Sequence, residues 1–152
     1  LIEPLLKIIG KYTLNARPEI IWEMVMDPRI LEKVTPGIKE LEAIGEDTYK
    51  AISEVSIGPV KGRFIGNLAV KEKVPPEACL LVVDQNSKMG NVVAEIQMQF
   101  KASSADETEV SYMGEAKLSG MLARMGQRIL GGVVSTLSKQ FFKGLERELE
   151  GR

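Results

Sequence analysis

The stretch from Met121 to Leu149 constrains this sequence most. Leu122, Met125, Ile129, Val133, Leu137, Phe141 and Leu145 recur there at steps of three and four, and Leu130, Val134, Phe142 and Leu149 widen the stripe. That spacing makes one apolar face of a long helix, and Ser119 stands before it as a candidate N-cap. From Ile38 to Leu118, by contrast, the chain reads as strand after strand. Each strand has one wet face, so the opposite faces need a cover. The final helix is the only large cover available.

The strands show a period of two. Ile8, Gly10, Tyr12, Leu14 and Ala16 alternate with Lys7, Lys11, Thr13 and Asn15, although Ile9 breaks the pattern. Phe64, Gly66, Leu68 and Val70 alternate with Lys61, Arg63, Asn67 and Lys71. Ala94, Ile96, Met98 and Phe100 alternate with Glu95, Gln97 and Gln99. Val110, Tyr112, Gly114, Ala116 and Leu118 alternate with Glu109, Ser111, Glu115 and Lys117. Cys79 to Val83 is a short apolar run, and Val74-Pro75-Pro76-Glu77 cannot lie inside a central strand. Between the first strand and the rest, Pro18 opens one short helix with Ile20, Ile21, Met24 and Val25 as its stripe. Asp27-Pro28 opens a second, which ends before Thr35-Pro36-Gly37. Short turns join the strands, so consecutive strands are antiparallel neighbours. The expected fold is α+β: a curved antiparallel sheet of about seven strands around a long C-terminal helix, with two short helices after strand 1. Residues 1–152 are expected to form a single domain.

Composition excludes several chemistries. Among 152 residues there is no histidine, which removes Ser-His-Asp and Cys-His catalysis and every imidazole metal site. No metal and no cofactor is expected. Twenty Lys+Arg against twenty-one Asp+Glu give a net charge of −1, and aromatic residues are 5%, so nothing points to nucleic acid. The single cysteine, Cys79, lies in an apolar run and reads as an inert buried thiol. Glu40/Glu42 and Glu46/Asp47 lie on wet faces and turns and read as solvated charge. Gly58-Pro59-Val60-Lys61-Gly62 lacks the spacing of a phosphate loop and precedes a strand, so it reads as a hairpin turn. No stretch reaches the ~18 apolar residues of a membrane span, and Leu1 to Gly10 does not have the pattern of a signal peptide. The expected location is the cytoplasm.

Ordered motifs then point to a family. Asp27-Pro28 with Leu31, Pro36-Gly37, Tyr49-x-Ala51 and Gly58-Pro59-Val60-Lys61-Gly62-x-Phe64-x-Gly66 come first. Thr108-x-Val110-x-Tyr112, Leu118-x-Gly120-x-Leu122-Ala123-x-x-Gly126 and Phe141-Phe142 follow. Together, over residues ~8 to ~146, they resemble the CoxG family of carbon monoxide dehydrogenase subunits. The element order is similar to the helix-grip arrangement of the START/Bet v 1-like (SRPBCC) superfamily. This resemblance implies a cavity between sheet and helix and a hydrophobic small-molecule ligand, quinone-like or lipid. It also implies an accessory role to a CO dehydrogenase-type molybdenum hydroxylase rather than an enzyme. The alternatives are an assembly or membrane-docking factor for such an enzyme and, last, a small helix-grip enzyme.

The expected cavity lining follows from the two periods. Phe64, Leu68, Met98, Phe100 and Tyr112 point inward and face Leu122, Met125, Ile129 and Val133. Trp22, with Met26 close by, lies near where the superfamily's cavity mouth falls. Phe141 and Phe142 read as core at the closed end. The Tyr112 hydroxyl needs a partner, either within the protein or on a ligand. The seven methionines, read as a mostly inward set with Met24, Met26, Met98 and Met125 among them, suit an adaptable apolar pocket. Gly126, Gly131, Gly132 and Gly144 each cost about 1 kcal/mol relative to Ala in a helix. They mark close helix packing, room left beside the helix, or a bend at Gly131-Gly132. Arg124, Arg128, Lys139 and Lys143 form a basic stripe, with 124 and 128 on one face and 139 and 143 on one face. That stripe would give weak anionic membrane contact and a peripheral position at the inner face of the membrane.

Overall fold

The computed structural model describes residues 5–152; the part of the signal-peptide reading that rests on residues 1–4 lies outside them. The chain runs β1 (Leu5–Leu14), α1 (Pro18–Val25), α2 (Pro28–Val34), β2 (Ile38–Gly45), β3 (Thr48–Ile57), β4 (Val60–Val74), β5 (Ala78–Ser87), β6 (Gly90–Ser104), β7 (Glu107–Leu118) and α3 (Gly120–Glu150). The seven strands form one antiparallel sheet in the order β1-β7-β6-β5-β4-β3-β2. The meander is closed by pairing β1 onto β7, which leaves β1 and β2 as the two edges.

Local chemistry accounts for the elements. Pro18 and Pro28 occupy the first turns of α1 and α2, where a missing N–H costs nothing. Asp27 caps α2 by accepting from the Arg29 N–H at 2.9 Å. The Arg29 side chain also binds this carboxylate and holds its pKa below the usual value, with the backbone bond adding to the effect. Gly58 and Pro59 make a two-residue hairpin between β3 and β4. The positive φ of Gly58 followed by proline's fixed φ is the type II′ pattern that suits strand twist. Thr108 is fully buried, and its hydroxyl donates to the Ala16 carbonyl at 2.6 Å, tying the end of β1 to β7.

Helix α3 departs from the sequence reading in three ways. Ser119 is the N-cap residue, but its hydroxyl accepts from the Asn91 N–H at 2.9 Å and makes no cap. The Leu122 N–H is instead met by the Met89 carbonyl at 3.1 Å. The break in the helix lies at Gly126 (φ 83°, ψ 165°), not at Gly131-Gly132. Only glycine visits that backbone region readily. The apolar stripe is interrupted just past the break, although Leu122, Val133 and Leu145 are buried as its spacing expects. Ile129, expected to face inward, is 46% exposed, while Leu130 is 5% exposed. Arg124 and Arg128 lie on either side of the break, so the helical spacing that placed them on one face no longer applies.

Candidate functional site

The apolar side chains between sheet and helix form two clusters rather than one. The first gathers Leu14, Ile21, Met24, Val34, Phe100, Val110, Phe142 and Leu145, bringing α1, α2 and the C-terminal half of α3 onto one end of the sheet. The second gathers Leu6, Ile8, Val60, Phe64, Ala116, Leu122, Leu130 and Val133 around the N-terminal half of α3. Among the described residues, only Tyr112 packs against both.

The expected lining residues divide between these clusters. Phe100 is buried in the first, with Trp22, Met26 and Met98 half-buried against it. Trp22 meets Phe100 edge to face at 5.5 Å. Phe64, Leu122 and Val133 are buried in the second, with Met125 half-buried beside them. Leu68 belongs to neither; it lies half-buried on the same sheet face as Leu81, its diagonal neighbour, since Leu68 pairs with Val83 and Leu81 with Val70. Ile129 is turned out to solvent. The methionines divide as well, since Met113 and Met121 are 62% and 56% exposed. Arg124, Arg128, Lys139 and Lys143 are all exposed.

A hollow of about 420 Å³ opens at the seam between β1 and α3, within the size range of ligand sites. Its β1 wall runs from Lys7 to Tyr12, and its α3 wall includes Gly131, Val134, Ser135, Ser138, Lys139 and Phe142. Tyr112 forms its inner side and is the one expected lining residue that it contains. The aromatic rings at its end are stacked: Tyr12 on Phe142 at 4.9 Å, and Phe142 near Tyr112 at 5.8 Å. Tyr12 donates a hydrogen bond to Glu146, and this bond, with burial and the carboxylate charge, raises the tyrosine pKa. Gly10 lies directly beneath Tyr112; a Cβ there would come within 2.3 Å of the tyrosine oxygen. A larger hollow of about 590 Å³ lies at the C-terminal end of α3, bordered by Ala16 and Arg17 after β1, Ile20 of α1, Asp106 and Leu149.

Sequence periodicity did not single out Ser135, Ser138 or Val134 as lining. Gly131 alone carried a signal, since a helix-interior glycine marks missing volume. Among the described residues, no group of three or more His, Cys, Asp or Glu could hold a metal ion. Burial raises the Cys79 thiol to about 11, so it is protonated at neutral pH. Among the described residues no helix is long and apolar enough to cross a membrane.

The family model of CoxG, a carbon monoxide dehydrogenase subunit, matches residues 10–150. The chain belongs to the CoxG family. Similar solved structures carry the fold further. A conserved protein from Geobacillus kaustophilus is 36% identical, with 96% of each chain covered and a TM-score of 0.93. A START superfamily protein from Mycobacterium smegmatis is 15% identical, covering 95% of this chain and 97% of that one, with a TM-score of 0.75. The Zhui aromatase/cyclase from Streptomyces sp. R1128 is 12% identical, covering 96% and 94%, with a TM-score of 0.71. At those identities the last two establish the START-like fold alone. No curated protein matches the sequence.

Proposed function

We propose that this CoxG-family protein binds a hydrophobic small molecule, quinone-like or lipid, between its sheet and its C-terminal helix. It serves a CO dehydrogenase-type molybdenum hydroxylase as an accessory and is not itself an enzyme. One observation carries the ligand reading. Leu68 and Leu81 stand half-buried on the concave face outside both packed clusters, which supports apolar surface open to a ligand in the middle of the grip. Covering such surface contributes about 25 cal/mol per Å², which favours an apolar occupant. The family name supports the partner. The fold, which START-like and aromatase/cyclase structures share, is compatible with either a carrier or an enzyme. The absence of histidine weighs against the enzyme.

Native mass spectrometry of protein purified from its own host tests this reading. A bound apolar molecule that Leu68→Trp displaces without unfolding the protein is the expected result. Ligand-free protein that takes up neither quinone nor lipid after reconstitution would overturn it. A second reading, weak contact with an anionic membrane, rests on the four exposed bases of α3. Salt-sensitive flotation with anionic vesicles, lost when all four are changed to Gln, tests it.

A further inference from the structure

The seam between β1 and α3 offers chemistry that the concave face does not. The Lys7 N–H donates to Gln127 Oε1 at 3.0 Å, and Gln127 Nε2 donates to the Lys7 carbonyl at 3.3 Å. Lys7 therefore turns its backbone away from β7 and toward the helix. The β1–β7 register is unbroken from Leu5↔Lys117 to Leu14↔Thr108. In an antiparallel pair this orientation alternates, so Ile9 and Lys11 also turn their N–H and C=O outward, and both line the hollow. At Lys7 the glutamine amide satisfies the edge. Two and four residues further on, the hollow takes its place.

The facing wall supplies donors too. The Ser135, Ser138 and Tyr112 hydroxyls make no hydrogen bond among the described residues, and Lys139 makes no ion pair there. No carboxylate lines the hollow; the nearby Glu146 accepts the Tyr12 hydrogen bond. The inner side is apolar, with the Tyr112 and Phe142 rings near each other; Gly10 presents no side chain under Tyr112, and Gly131 leaves room along the helix wall. We infer that the β1–α3 seam is a binding site for an apolar molecule ending in a carboxylate. Lys139, Ser135 and Ser138 hold the carboxylate, and the apolar body lies against Tyr112 and Phe142. Lys139 supplies a charge-assisted hydrogen bond, the strong kind. The inference does not rest on the concave-face reading, since Leu68 and Leu81 take no part in this lining.

Titration calorimetry on the full chain tests it, with 2-naphthoate and octanoate as probes beside their neutral alcohols. At least one acid is expected to bind at least tenfold tighter than its alcohol. Naphthoate binding would assign an aromatic body and octanoate binding an aliphatic one. Lys139→Gln with Ser138→Ala is expected to weaken the acid at least tenfold. Gly131→Leu, which fills the hollow from a helical position with open space, is expected to abolish binding while the melting curve shows a folded protein. Leu68→Trp should leave binding unchanged. The inference is overturned if neither acid binds, if acid and alcohol bind alike, or if both α3 variants bind as well as the parent. Acid binding lost in Leu68→Trp but kept in Gly131→Leu would also overturn it and would move the ligand to the concave face.

Discussion

The two ends of α3 are held in opposite ways, and glycine marks both. At the C-terminal end Gly144 is buried against α2; a Cβ there would lie 2.9 Å from the Val34 Cβ. Phe142 and Leu145 are buried on either side of it. Around the break, a Cβ on Gly126 or Gly132 would meet nothing within 4 Å, and one on Gly131 only the far end of Gln127 at 3.8 Å. The same residue type therefore records a close contact at the C-terminal end, solvent at Gly126 and Gly132, and the edge of the hollow at Gly131. Leu122, Leu130 and Val133 still bury the N-terminal half against the sheet, so the helix keeps its place while leaving a hollow beside β1.

The largest expected effect compares one truncation at the clamped end and in the middle of α3. Leu145 is fully buried, whereas Leu137 is half-buried against the second cluster. Leu145→Ala should lose about 2–5 kcal/mol, the range for close-packed core sites. Leu137→Ala should lose less than about 2 kcal/mol, because part of its surface already faces solvent. Urea unfolding of both variants measures the difference. Equal large losses would mean that the helix is packed as solidly along its middle as at its end.

The fold was legible in the sequence because two periods were clean. Alternation in β4, β6 and β7 gave the concave face, and the three-and-four spacing in α3 gave its cover. The site was less legible for reasons tied to particular residues. Gly126 breaks the helix, and of the neighbouring stripe residues Ile129 and Leu130, both expected inward, only Leu130 is buried. Gly10 fitted the alternation, but nothing local to it shows that the Tyr112 ring lies across it. Ser135 and Ser138 flank the apolar stripe. They matter only because α3 leaves room beside the β1 edge, which is a long-range fact that no local period contains.

A smaller effect, but one of opposite sign, separates the glycines. Gly144→Ala forces a methyl group into contact with Val34, so an overpacking cost of about 1–3 kcal/mol is expected. Gly132→Ala meets open space in a helical position and should gain up to about 1 kcal/mol from helix propensity. Thermal melts of the two variants should therefore shift in opposite directions. A loss in both would mean that the middle of α3 is closed in solution.

The smallest effect concerns how α2 is held against the clamped end. Asp27 caps α2, and its pKa lies below the usual 3.8, chiefly because the Arg29 side chain binds the carboxylate. A carboxylate whose folded pKa is depressed adds stability above its unfolded pKa and loses it as pH falls through the folded value. The cap should thus hold α2 well above pH 3.8 and weaken as pH falls below it. Amide exchange at Arg29, whose N–H the carboxylate accepts, should show protection falling in that window. Asp27→Ala should remove both the protection and its pH dependence. Since α2 carries Val34 against Gly144, loosening the cap should also raise exchange near Gly144 and leave the Gly131 region unchanged. A pH response shared by both ends of α3 would show that the clamp and the hollow do not behave as separate regions.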